Sequence, residues 1–377
     1  MFSDIAVEKF IEEELRHGRF NIRTKTKNSL KNSSEGERKR ALLNHILTQK
    51  TADYILLDNV FDCLDIEAQR RIKLALEQLS QSVRIIQIAT RRRDILAFID
   101  KVFSVENEEV QPLNNDKAAS QKAKAYFVKA LPRPYVLESK VPNPLIKLNK
   151  VCVNYGGRPI VKDINWEVKP GEFWQLIGPN GSGKSTILTL ISGDNPKGFL
   201  QDMILFGMKK GSGETVWDIK KNIGFFSSEM LRGFKRRDSI EKMIISGFLD
   251  SIGLYKVPSE RQINIAHEWL ELLNMVHIKD KSFQSLSNGH KRLVLIARAM
   301  VKHPPLLILD EPTNGLDDND AQLFAELVNK IASESDAAII YVSHRKEAHI
   351  RPSFIYELIP SETGSVGIEK KADNYSL

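Results

Sequence analysis

Nine consecutive residues, GPNGSGKST at Gly178–Thr186, carry the densest chemistry in the sequence. They fit the pattern G-x-x-x-x-G-K-[ST], with Gly183, Lys184 and Ser185 at the diagnostic places. Glycines let such a loop curl, so the backbone across Gly178, Pro179, Asn180, Gly181, Ser182 and Gly183 turns its N–H groups onto a β-phosphate. Lys184 then reaches the β- and γ-phosphates, the Ser185 hydroxyl ligates Mg²⁺, and Thr186 continues into a helix whose positive end favours the anion. A dinucleotide fingerprint has no use for the Lys–Ser pair and is disfavoured.

A second cluster is acidic. LLILDEP, Leu306–Pro312, reads as an apolar strand ending in Asp310 and Glu311. A buried parallel strand delivers such carboxylates to the sheet edge where α/β folds bind ligands. Asp310 would hold Mg²⁺ through water, and Glu311 would polarise an attacking water. His344 follows the apolar strand IIYV, where an imidazole can hydrogen-bond a γ-phosphate and orient Glu311. LSNGH, Leu286–His290, opens an amphipathic helix, so Ser287 and the Gly289 backbone make a second anion site; alone, Ser-x-Gly is only a helix cap. Tyr155, 23 residues before Gly178, offers a ring to stack on adenine.

These residues need elements to hold them. Phe173–Ile177 reads as the buried strand feeding the phosphate loop, and ILTLIS, closed by Gly193, as the helix after it. A helical subdomain is expected near Ser239–Asp280, with Ile265, Trp269, Leu272 and Leu273 as its apolar face. The fold class is therefore α/β, a mainly parallel sheet flanked by helices.

Composition excludes other classes. The 377 residues, 42% hydrophobic, suffice for two domains. Two cysteines, Cys63 and Cys152, cannot form a disulfide framework and fit a reducing cytoplasm. No apolar stretch approaches the ~20 residues of a membrane helix, and the charged start is no signal peptide. A soluble chain is expected. The +7 charge gathers partly at Arg16–Lys31 and Arg91–Arg93. Such patches can meet nucleic acid or an anionic membrane, but without interleaved aromatics they read as a solvated face near a nucleotide.

The chain also repeats itself. Ser33–Asp65 recurs as Leu286–Asp317: Gly36 and Gly289 lie 253 residues apart, and Asp58–Asp310 and Asp65–Asp317 lie 252 apart. The same offset places a counterpart of Gly178 before Met1, so the first copy is expected to lack its phosphate loop. The organisation read from this is a partial, degenerate cassette at 1–107, a linker at 108–144, a complete cassette at 145–360 and a flexible tail at 361–377.

Taken together, the phosphate loop, the signature LSNGH, LLILDEP, the D-loop around Gly315–Asp317 and the switch His344 resemble those of the ATP-binding cassette (ABC) ATPases, which share the P-loop NTPase fold. IISGFLDSIGLY with SLSNGHKRLVLIARAMVKHPPLLILDEPTNGLD is similar to the tandem ModF-type ATP-binding proteins associated with molybdate uptake, here with the first cassette N-terminally truncated. The resemblance implies two cassettes closing head to tail, each ATP lying between one phosphate loop and the opposite signature, with Asp317 at the D-loop. The partner cassette would be the first copy in cis, through Ser34 and Gly36, or a second chain in a homodimer.

Three departures from the family pattern stand out. Ser228, beside Glu229, occupies the place of the Gln that senses Mg²⁺ and the permease in transporters. Asn59 replaces the glutamate in the first copy and Thr90 replaces its histidine, so that copy reads as non-hydrolytic. The expected reaction is Mg²⁺-dependent ATP hydrolysis. Two roles are open: the ATP-binding subunit of an ABC transport system, peripheral to a membrane permease and serving a molybdate-type anion; or a soluble tandem ABC protein acting on ribosomes, nucleic acid or regulation.

Overall fold

In the computed structural model, residues 1–18, 20–24, 29–33, 35–48, 53–62, 64–106, 109–113, 126–134, 141–234, 236–251, 253–343, 347 and 349–372 are described. They fall into two units, Met1–Ala125 with Gly315–Asp318, and Tyr126–Asn314 with Asn319–Leu377.

The first unit builds its own core. Helix α1 (Asp4–His17) starts where the Ser3 hydroxyl accepts the Ala6 N–H at 3.2 Å, and ends at left-handed Gly18. Helix α2 (Glu35–Thr48) precedes strand β1 (Tyr54–Asp58); helix α3 (Ile66–Ser80), capped by Asp65, precedes strand β2 (Arg84–Ile88). β1 and β2 pair in parallel, Tyr54 opposite Arg84 through Asp58 opposite Ile88. Phe2 lies along the other edge of β1, its N–H on the Leu56 carbonyl at 2.8 Å and its carbonyl on the Asp58 N–H at 2.9 Å. Phe2, Leu42, Leu57, Val60, Phe61 and Leu76 are buried together, each contributing about 2 kcal/mol of transfer free energy. Cover is incomplete on β2, where Ile86 and Ile88 remain 55% and 49% exposed. A hairpin of β3 (Phe103–Glu106) and β4 (Glu109–Pro112) follows, carrying regular pairing past residue 107. Residues of the expected linker also lie along the second unit: Lys129 pairs with Glu271 at 2.8 Å, and the Leu131 N–H meets Glu334 at 3.2 Å.

The second unit opens with β5 (Ile146–Tyr155) and β6 (Arg158–Val168), which pair in antiparallel fashion. β7 (Phe173–Ile177) then feeds helix α4 (Lys184–Ile191). Strands β8 (Asp202–Leu205) and β9 (Met208–Lys209) complete an antiparallel sheet of order β6–β5–β8–β9. Next come α5 (Val216–Lys220), β10 (Ile223–Ser227) and α6 (Met230–Gly233). The helical region holds α7 (Ile240–Ile245) and α8 (Glu260–Leu272), and Ile265, Trp269, Leu272 and Leu273 are buried there as their spacing predicts.

Helix α9 (Asn288–Met300), β11 (Leu306–Asp310), α10 (Asp318–Glu334), β12 (Ala338–Val342), β13 (Phe354–Ile359) and β14 (Val366–Lys371) finish the chain. The main sheet runs β10–β11–β12–β7–β13–β14, parallel but for the last pair. One apolar core joins both sheets and α4. Within it Trp166 stacks on Tyr356 with centroids 4.5 Å apart, and Trp174 stacks on Phe354 at 4.8 Å.

The segment after Ser361 departs from expectation. Its polar composition reads as a flexible tail, yet Val366–Lys371 pairs residue by residue with β13. An edge strand needs main-chain partners more than apolar side chains, and Gly367 leaves room for the Tyr356 ring, whose Oη lies 2.0 Å from where a Cβ would stand. Residues 373–377 of that tail lie outside the described residues. Among the described residues no helix is long and apolar enough to cross a membrane.

Candidate active site

The register of the sheet explains the site. Asp310 lies opposite Val342, and Val342 opposite Leu176, in one row across β11, β12 and β7. Adjacent strands are about 4.8 Å apart, so the acidic end of β11 and the loop leaving β7 emerge from the same edge, two strands apart. Ser185 of that loop and Asp310 accordingly line one cavity of about 420 Å³, together with Leu188, Trp217, Phe225 and Phe234.

The loop keeps its shape for steric reasons. Gly183 has φ +98°, and a Cβ there would lie 2.5 Å from a Val161 methyl on β6, so only glycine fits. Lys184, buried, donates to the carbonyls of Gly178 and Pro179 at 2.7 and 3.2 Å. The Ser182 hydroxyl is buried and has no hydrogen-bond partner among the described residues, which suits a loop that wraps a polar guest. Asn180, Gly181 and Thr186 complete the same turn into α4.

The carboxylates face a charged surround. Burial, then the charge of Glu311, push the Asp310 carboxyl up to about 7; Lys184 pulls it down, and Glu229 adds to the rise. A cation beside Asp310 would relieve this. Glu311 follows in a left-handed turn, φ +47°, its N–H on the Val342 carbonyl at 3.0 Å. That conformation costs a glutamate about 1–2 kcal/mol.

Comparison with known proteins decides the family. The ABC transporter family profile matches residues 161–314. The ABC transporter ATP-binding protein ModF of Escherichia coli is 38% identical over 328 residues, 83% of this chain and 67% of that protein. An uncharacterized ABC transporter ATP-binding protein of Bacillus subtilis, YlmA, is 35% identical over 56% of this chain and 79% of its own length. The chain belongs to the ABC transporter ATP-binding proteins. Among solved structures, cbiO1 of Clostridium perfringens, part of the ABC transporter complex cbiONQ, superposes with TM-score 0.53 over 62% of this chain and 90% of that one, at 23% identity. That likeness concerns the fold alone.

In this ABC ATPase the structure brings Gly178–Thr186, Asp310 and Glu311 to one sheet edge. Tyr155, 45% exposed, ends β5 with its hydroxyl accepting from Asn195 at 2.8 Å. Sequence reasoning missed Asn195; its only local signal is the Asn-Pro step that starts a short helical turn. Ser287 caps α9, its hydroxyl 2.8 Å from His290 Nδ1. Gly289 is buried against Asp320, whose carboxyl carbon lies 2.1 Å from where a Cβ would be. His344 lies outside the described residues, as does Ser34; Gly36 is buried in the first turn of α2. Asp317 is exposed, in the four-residue stretch grouped with the first unit.

The first unit repeats the acidic strand end with an amide in place of the glutamate. Asn59 occupies a left-handed turn, φ +44°, with its N–H on the Ile88 carbonyl at 3.0 Å. Its side-chain oxygen accepts from the Thr90 N–H and hydroxyl at 3.1 and 3.2 Å. The residues at the glutamate and histidine places thus bond each other.

Proposed function

We propose that the second unit binds ATP through Gly178–Thr186 and hydrolyses it with Glu311 as general base, as part of an ABC transport system. The observation that carries this reading is the meeting of the phosphate loop with Asp310 and Glu311 along one sheet edge. Hard oxygen donors suit Mg²⁺, which keeps several waters and takes few protein ligands. Ser185 Oγ and the Asp310 carboxylate supply that donor type, and the raised Asp310 carboxyl marks a place where positive charge is favoured. Bound there, Mg²⁺ would neutralise charge building up on the phosphates. The chain's own contribution is to hold the phosphates on N–H groups and Lys184 Nζ, to accept the water proton at Glu311, and to offer Tyr155 to adenine.

For partners, the reading is a cytoplasmic subunit beneath a membrane permease, with a molybdate-type anion as cargo on the strength of the ModF likeness. A segment filling the cavity beside Trp217 and Phe234 would touch Ser185 and Asp310 at once, which gives a physical route from permease to nucleotide. The second reading, a soluble ABC protein acting on ribosomes, nucleic acid or regulation, draws support from Ser228 at the coupling position. The signature facing the ATP is that of Ser34 and Gly36 in cis, or of Ser287 and Gly289 from a second copy.

ATPase assays on purified protein test these points. Lys184→Ala should weaken nucleotide binding; equal affinity in the variant and the parent would overturn the site. Stimulation by permease-containing vesicles supports transport, and stimulation by ribosomes or RNA supports the second reading. Loss of rate with Ser34→Arg alone supports the cis arrangement, and loss with Ser287→Arg alone, together with a specific rate that rises with concentration, supports the homodimer.

A further inference from the structure

Glu311 carries a left-handed backbone conformation, φ +47°, at the end of β11. Asparagine visits the left-handed region readily because its short amide bonds locally, and Asn59 shows this in the first unit, tied to Thr90 and, at 3.3 Å, to Asp58. Both turns make the same main-chain bond to the neighbouring strand, so the path of the chain is common to the two units. Only the second unit puts a glutamate there, and it adds a different tie. Ser228, just beyond β10, donates its hydroxyl to the backbone carbonyl of Glu311 and its N–H to the carbonyl of Asp310 at 3.3 Å.

Two consecutive carbonyls are thereby held by the residue that follows the adjacent strand. Fixing the peptide units on both sides of the Glu311 Cα fixes the direction of its Cα–Cβ bond, and with it the arc its carboxylate can sweep. A hydroxyl is the smallest group that can make the Glu311 bond, and Ser228 is half-buried between the strand ends. We propose that Ser228 is a positioning residue that holds the backbone of Glu311 so that its carboxylate faces the attacking water. The proposal rests on the reading of Glu311 as general base. It gives a use to a residue that departs from the family pattern: side-chain contact with the nucleotide centre is replaced by a hold on the main chain of the base.

The test uses the full chain, with steady-state ATPase assays and single-turnover hydrolysis of radiolabelled ATP. Ser228→Ala should lower kcat roughly tenfold to a hundredfold, since small misplacements of a catalytic group carry such losses, while KM and the affinity for a fluorescent ATP analogue stay within about twofold. Ser228→Thr, which keeps the hydroxyl, should restore most of the rate. In a Glu311→Gln background the Ser228→Ala change should cause no further loss of the residual single-turnover rate. A wild-type kcat in Ser228→Ala, or an equal fractional loss in both backgrounds, overturns the proposal. If Glu311→Gln itself turns over at the parent rate, the base reading fails and the proposal falls with it. If Glu311→Gln is inactive while Ser228→Ala is normal, only the role of Ser228 is lost.

Discussion

The pair β1–β2 in the first unit and the pair β11–β12 in the second are the same structure in two surroundings. Each has five residues facing five in parallel register. Each ends in an aspartate followed by a left-handed residue whose N–H bonds the neighbouring strand. Their environments differ. β12 is buried along its whole length, because β7 pairs on its other edge. β2 alternates between half-buried and exposed, and among the described residues no further strand pairs with it. Local pairing and turn geometry are therefore properties of the short repeat, whereas burial depends on what the rest of the unit supplies. The two strand ends then differ by a single side-chain group, a carboxylate at Glu311 against an amide at Asn59.

The strongest way to break the comparison is at that carboxylate. Glu311→Gln should lower kcat by about 10² to 10⁴, the range for a lost general base, while ATP still binds. Single-turnover hydrolysis checks this, and a normal rate would place the base elsewhere. Burial gives the next contrast. Ile340→Lys places a charge where exposure is 0% and should cost roughly 3–5 kcal/mol. Its counterpart Ile86→Lys should change stability by no more than about 0.5 kcal/mol. Urea unfolding followed by circular dichroism measures both, and equal losses would mean that β2 is covered in solution.

A smaller effect concerns pH. The Asp310 carboxyl, at about 7 when folded against an ordinary 3.8, binds its proton more tightly in the folded state. The stability of the second unit should then fall as pH rises from about 4 to about 7 and level off above that. Between pH 5 and 8 the loss is on the order of 2–3 kcal/mol, and Asp310→Asn should flatten it in urea titrations without added Mg²⁺. A slope unchanged in that variant would assign it to another group. The smallest expected effect is none. Asn59→Glu restores an acid where the first unit has no phosphate loop in this sequence, so the ATPase rate should stay within error of the parent; a clear rise would show that a nucleotide reaches the first unit.

Much of this was legible beforehand because the motifs are contiguous. A phosphate loop needs neighbouring residues on a strand, a turn and a helix, and Phe173–Ile191 supplies all three in order. Likewise Leu306–Glu311 announces a buried strand with an acidic end, and Ile265, Trp269 and Leu272 announce a helix face. What stayed hidden depends on partners distant in the chain. The edge pairing of Phe2 with Leu56 and Asp58 leaves no local pattern. β14 hid in a polar stretch because its partner, β13, supplies the order. Asn195 and Ser228 act on Tyr155 and Glu311, 40 and 83 positions away, through single hydrogen bonds that no periodicity records.

The placement of the four tryptophans divides the molecule optically. Trp166, Trp174, Trp217 and Trp269 all belong to the second unit. Three are buried in apolar surroundings, while Trp217 is 70% exposed at the cavity that contains Ser185 and Asp310. Intrinsic tryptophan emission is therefore blind to the first unit, whose unfolding must be followed by far-ultraviolet dichroism. Trp217 lines the cavity proposed to take the nucleotide, so a spectral shift on adding ATP would test that placement with no label attached. Two melting curves recorded on one sample, one by emission and one by dichroism, would separate the stabilities of the two units without cutting the chain.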